Sequence, residues 1–152
     1  MTRGRGPAVI AGLAAVLAGL TGCGDDTESY CDELRNQQQR LVDLAGEAGR
    51  PGADVYDDSL EIFGTLREAA PDDVRDEWDT LYFAWEGLVE GFDRAGTTPQ
   101  EFDPANPPPG VSDAEAQALE DAAAELRSRR VVDAGDGIEQ HAKDVCGVDL
   151  GL

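Results

Sequence analysis

Val74, Trp78, Leu81, Trp85, Leu88 and Phe92 recur at spacings of 4, 3, 4, 3 and 4. That rhythm is one apolar stripe on a helix, and it carries both tryptophans of the chain. Pro71 suits a first helical position, and Asp72 and Asp73 complement the positive end of the helix dipole. Gly96 is placed to end the helix in a left-handed cap. A stripe this long must be covered, and the rest of the chain offers only helices to cover it, because no segment shows a run of strand-like alternation.

The covering helices are legible in turn. Tyr30, Leu34, Leu41, Leu44, Ala45 and Ala48 share one face of a first helix, expected to end near Gly46–Gly49, with Pro51-Gly52 as the turn. Asp58-Ser59-Leu60-Glu61 has the spacing of a capping box, and Ile62, Leu66 and Ala69 follow on the buried side with Phe63 at its edge. Thr97 to Gly110 holds five prolines, which no helix can cross. Ser112-Asp113-Ala114-Glu115 is a capping box opening an alanine-rich helix with Leu119, Ala122, Ala123 and Leu126. Val131, Gly135, Ile138, Ala142 and Val145 share a last face. Gly135 and Gly137 each weaken a continuous helix by roughly 1 kcal/mol, so a break is expected between Arg127 and Gly137 and an end at Cys146-Gly147.

The first 22 residues read differently. Arg3 and Arg5 precede an apolar run from Pro7 to Leu20, the pattern of a secretory signal, and the run is shorter than the about 20 residues a spanning helix needs. Leu20-Thr21-Gly22-Cys23 resembles the bacterial lipobox. The resemblance implies cleavage before Cys23 and a diacylglyceryl group on its thiol. Stable anchoring takes two acyl chains, since one holds only marginally. The odd cysteine is then the membrane anchor, residues 1–22 are the signal, 23–29 a lipidated tether, and 30–152 the domain. Cys31 and Cys146 remain as an even pair on the oxidising side of a membrane, which reads as a disulfide. A chain opening Tyr30-Cys31 and closing Cys146-Gly147-Val148-Asp149-Leu150, with helices between, resembles a group of small secreted or lipid-anchored actinobacterial helical proteins of unassigned function. That resemblance implies the bundle and the bridge and carries over no activity.

The formal charge is −20, and −22 over 130 residues once Arg3 and Arg5 leave with the signal. Such a chain is repelled by nucleic acid and by anionic lipid, so nucleic-acid binding is not expected. Hydrolase chemistry lacks a residue set: there is one histidine, no G-x-S-x-G elbow and no spare cysteine. Only a carboxylate-based hydrolase stays open, and no catalytic residue is assigned. Asp133 to Glu139 invites an EF-hand reading that fails on register: with Gly137 as the sixth residue, position 1 is Val132, position 3 Ala134 and position 12 Lys143. No metal or cofactor is expected there, and Asp136 with Glu139 more simply caps a helix. His141 lies at the edge of the last helix's apolar face, as a boundary residue with its partners satisfied or, alternatively, as a pH sensor.

Two placements suggest binding, and the proline-rich loop from Thr97 to Gly110, otherwise a plain linker, is a third candidate contact surface. Gln37 falls in the centre of the first helix's stripe, where it is either turned to solvent or, with Trp78 and Trp85, lines a ligand pocket between helices. Phe83 lies opposite the tryptophan stripe near Asp79, Glu86, Gly87 and Glu90. Another helix is expected to pack there over Gly87; failing that, Phe83 and Gly87 mark a partner surface.

The expectation is therefore an all-α, compact bundle of four or five helices with a terminal-to-terminal disulfide, lipid-anchored through Cys23 on the extracytoplasmic face of the cell membrane. Its expected role is a non-enzymatic interaction or accessory module engaging an envelope protein or wall component. The alternative is a small-ligand binding lipoprotein.

Overall fold

The computed structural model describes residues 24–47 and 55–151. The signal at 1–22, Cys23, Ala48 and the Pro51-Gly52 turn lie outside them. Five helices follow one another: α1 (Gly24–Glu47), α2 (Val55–Ala69), α3 (Arg75–Ala95), α4 (Asp113–Leu126) and α5 (Arg129–His141), with a π-helical turn over Ala142–Cys146. No strand occurs among the described residues, and no helix there is long and apolar enough to cross a membrane. The chain is an all-α bundle.

α3 is the hub, packing against α2, α4 and α5. Its stripe divides between two cores. Val74, Trp78 and Leu81 enter the main core with Tyr30, Leu34, Ile62, Leu66 and Ile138, while Leu88 joins Ala95 and Leu119 in a smaller one. Trp78 is fully buried, and its indole Nε1 donates to the Tyr30 hydroxyl at 2.8 Å. This bond joins α3 to α1, which otherwise packs on α2 and the π-turn. Gly96 caps α3 at φ 61°, a left-handed conformation that favours glycine.

Helix starts depart from the sequence reading in three places. The polar stretch 24–29, expected as a tether, is helical and forms the first part of α1. α2 starts at Val55, three residues before the expected capping box. Ser59 is buried, and its Oγ donates to the Val55 carbonyl at 2.6 Å, the bonding of a mid-helix serine. Pro71 opens a separate turn, closed by Val74 N–H to the Pro71 carbonyl at 3.2 Å, which drops Val74 into the core before α3 begins.

The Ser112 box forms as expected. Ser112 N–H donates to Glu115 Oε2 at 2.8 Å, and Glu115 N–H donates back to Ser112 Oγ at 3.3 Å. The expected break falls at Arg127-Ser128, where Ser128 Oγ accepts from Val131 N–H to start α5. Asp136 and Glu139 lie inside α5 and cap nothing; Glu139 pairs with Lys143 instead. Gly137 is a close approach, since a Cβ there would stand 3.1 Å from Glu77 Cγ of α3.

Cys31 and Cys146 form a disulfide with Cα atoms 5.1 Å apart, across a sequence separation of 115. Beyond it the chain is strapped along α1. Arg35 Nη2 donates to the Cys146 carbonyl at 3.2 Å and Gln38 Nε2 to the Asp149 carbonyl at 2.8 Å, while Val148 and Leu150 are buried.

Two outcomes follow. Trp78→Ala should lower stability to urea by about 3–5 kcal/mol as a core truncation; a near-neutral change would contradict its placement. Replacing both Cys31 and Cys146 by serine should cost about 2–5 kcal/mol in the same measurement, and an unchanged midpoint would show that the bridge contributes nothing.

Candidate functional site

Gln37 is only 9% exposed, so its polar atoms must be satisfied within the protein. They are: Nε2 donates to Glu33 Oε1 at 2.7 Å, and Oε1 accepts from Arg40 Nη1 at 3.1 Å. Arg40 continues to Glu61 Oε1 of α2 at 3.2 Å, so Gln37 belongs to a network joining two helices. Trp78 is sealed in the main core, and Trp85 is half-buried against Phe63 and Tyr56, with ring centroids at 5.7 and 5.5 Å. The structure does not gather Gln37, Trp78 and Trp85 around either groove described below.

Phe83 is 52% exposed, and a Cβ on Gly87 would meet nothing within 4 Å. Among the described residues no helix covers this face: α3 has α2, α4 and α5 on its other sides. Arg67 of α2 reaches over instead. Its guanidinium carbon stands 4.8 Å from the Phe83 ring centre and 5.0 Å from that of Tyr82, and its Nε pairs with Asp79. The Tyr82 and Phe83 rings meet edge to face at 5.5 Å, and Tyr82 OH donates to Glu86 Oε1 at 3.0 Å. Gly64 lets Tyr82 lie against α2, since a Cβ there would be 3.3 Å from Tyr82 Cε2. A groove of about 340 Å³ beside Tyr82 is lined by three carboxylates, Asp57, Glu61 and Glu68. The face thus presents a clamped aromatic pair with acid along one edge.

A larger, half-open groove of about 740 Å³ lies where α3 runs past the main core. Leu88 and Leu119 form its apolar floor. Tyr56, Phe92 and Phe102 supply aromatic walls, with Tyr56 and Phe92 rings 6.0 Å apart and Phe92 and Phe102 rings 6.1 Å apart. Phe102 comes from the proline loop, which is ordered by its own bonds. Phe102 N–H donates to the Thr98 carbonyl at 3.0 Å, and Ala105 N–H donates to Asp103 Oδ1 at 2.9 Å. Sequence reasoning missed this groove. Leu88 and Phe92 looked like more of the core stripe, and Tyr56 and Phe102 each stand alone in sequence.

His141 packs its ring 5.6 Å from that of Tyr30, with its side chain 12% exposed. The ring sits at the boundary as expected; neither nitrogen makes a hydrogen bond to a described residue, but Nε2 lies 3.3 Å from Asp73 Oδ2, an ion pair when the ring is protonated. Burial pushes the Tyr30 hydroxyl up to about 12, the Trp78 N–H offsetting part of the shift and the Asp73 charge adding to it. The folded state thus keeps this proton when the unfolded chain, near 10, has lost it. The resulting stability is full below pH 10 and is lost as pH rises through about 12. Urea midpoints measured across that window should fall more steeply for the native chain than for Tyr30→Phe; equal slopes would contradict the assignment.

Among the described residues no group of three or more His, Cys, Asp and Glu is arranged to hold a metal ion. The chain matches no known protein-family model, and no curated protein or solved structure is significantly similar to it.

Proposed function

We propose that this chain is a membrane-anchored extracytoplasmic lipoprotein whose helical domain is a non-enzymatic interaction or accessory module of the cell envelope. The lipid on Cys23 holds it at the membrane, and its partner is an envelope protein or wall component. The observation that carries the interaction reading is Phe83. It is a large aromatic left 52% exposed on the hub helix, held in place by Arg67 and flanked by open space at Gly87. Rigid, exposed aromatics of this kind are the residues on which binding energy concentrates. The Cys31–Cys146 bridge supports the location, because disulfides persist on the oxidising side of a membrane. A small-ligand role is the second reading, favoured by the aromatic groove of about 740 Å³, which is within the usual size of ligand sites.

A photo-crosslinking side chain placed at position 83 should give one discrete adduct in the protein's own membranes. The same group at Val132, also exposed but on α5, should not. Phe83→Ala should change stability by no more than about 1 kcal/mol, so that lost contact is not lost folding. The same adduct pattern from both positions would contradict the surface.

A further inference from the structure

The groove between α3, α4 and the proline loop has a chemistry the sequence does not display, and its reading as a ligand site can be taken one step further. Three aromatic rings from three different elements wall it: Tyr56 from α2, Phe92 from α3 and Phe102 from the loop. Edge-to-face contact between Phe92 and Phe102, at an interplanar angle of 77°, leaves ring faces turned in different directions, as a cage requires. α4 contributes Glu120 and Asp121 to the lining, and both are exposed. Asp121 accepts from Gln117 Nε2 at 2.9 Å, a contact that orients the carboxylate without neutralising it. Glu120 has no ion-pair partner among the described residues. The one cation of the lining, Arg127, stands seven residues beyond Glu120, about 10 Å along the helix axis.

Apolar residues, aromatic rings and two carboxylates in one lining are complementary to a particular kind of molecule. We infer that this groove binds an organic cation with an apolar body, its ammonium group lying between the aromatic rings and Glu120 and Asp121. Quaternary and tertiary ammonium groups are held this way because the ring quadrupoles attract the charge and no strong hydration shell has to be stripped. The chain's formal charge of −20 favours the same sign of ligand over the whole surface. The inference rests on the small-ligand reading of this groove and is independent of Phe83.

Benzyltrimethylammonium is the probe, titrated into the nitrogen-15-labelled domain with benzyl alcohol as the neutral comparator and phenylacetate as the anionic one. The cation should bind saturably and perturb amides of Phe102 and of residues 117–124. It should bind at least about twofold more tightly than benzyl alcohol, the least a cation–aromatic contact contributes at such a site. Glu120→Gln combined with Asp121→Asn, both on exposed side chains, should weaken that preference while leaving the spectrum folded, and Arg127→Gln should strengthen cation binding. Equal affinity for the cation and benzyl alcohol, or preference for phenylacetate, would overturn the ligand class while keeping the groove as a binding site. No saturable binding of any of the three would overturn the small-ligand reading itself.

Discussion

The bridge between Cys31 and Cys146 is the constraint on which the arrangement of the first helix depends. α1 packs on α2 and on the π-turn and reaches α3 through the Trp78–Tyr30 hydrogen bond. Tyr30 and Leu34 seat this helix of 24 residues in the main core, and the bridge adds a covalent tie near its start. Its closed loop is long enough that the unfolded chain loses on the order of 4.7 kcal/mol of freedom in the chain-entropy account. Arg35 and Gln38 then hold the carbonyls of the last residues along the same helix, so that Val148 and Leu150 are buried beside it.

With the ends closed, α3 is free to serve two purposes. Its first half is committed to the core through Val74, Trp78 and Leu81. Its second half outruns that core, and Leu88 and Phe92 meet only a thin second cluster completed by the proline loop. The larger groove opens there. On the outer side, Phe83 and Gly87 face no helix among the described residues, and Arg67 lies over the aromatic surface. One helix thus carries both the strongest packing and the two surfaces on which the proposed functions rest.

Much of this was legible in the residues. The tryptophan stripe, the Gly96 stop, the Ser112 box and the Arg127-Ser128 break are local signals of period, cap and glycine conformation, and they hold because nothing tertiary competes with them. The start of α1 was hidden because a polar helix end has no apolar rhythm. At α2 the Asp58-Ser59-Leu60-Glu61 spacing misled, since tertiary packing buries Ser59 and turns its hydroxyl back onto the helix. Gln37 read as turned to solvent or lining a pocket and is neither, because its two partners, Glu33 and Arg40, sit on its own helix, where sequence shows a spacing and not a bond. Of the groove only the proline loop stood out as a candidate surface, for its walls come from residues as far apart as Tyr56 and Arg127.

The central claim is that this domain works at a membrane surface, held there by its own lipid and presenting the free face of α3. A native mass spectrum of the protein extracted in mild detergent from its own membranes tests it most directly. The account predicts a chain beginning at Cys23 that carries the mass of a diacylglyceryl group, with a further non-covalent mass bound. A chain without lipid would contradict the anchor, and a lipidated chain with nothing bound would contradict the assignment of a binding module.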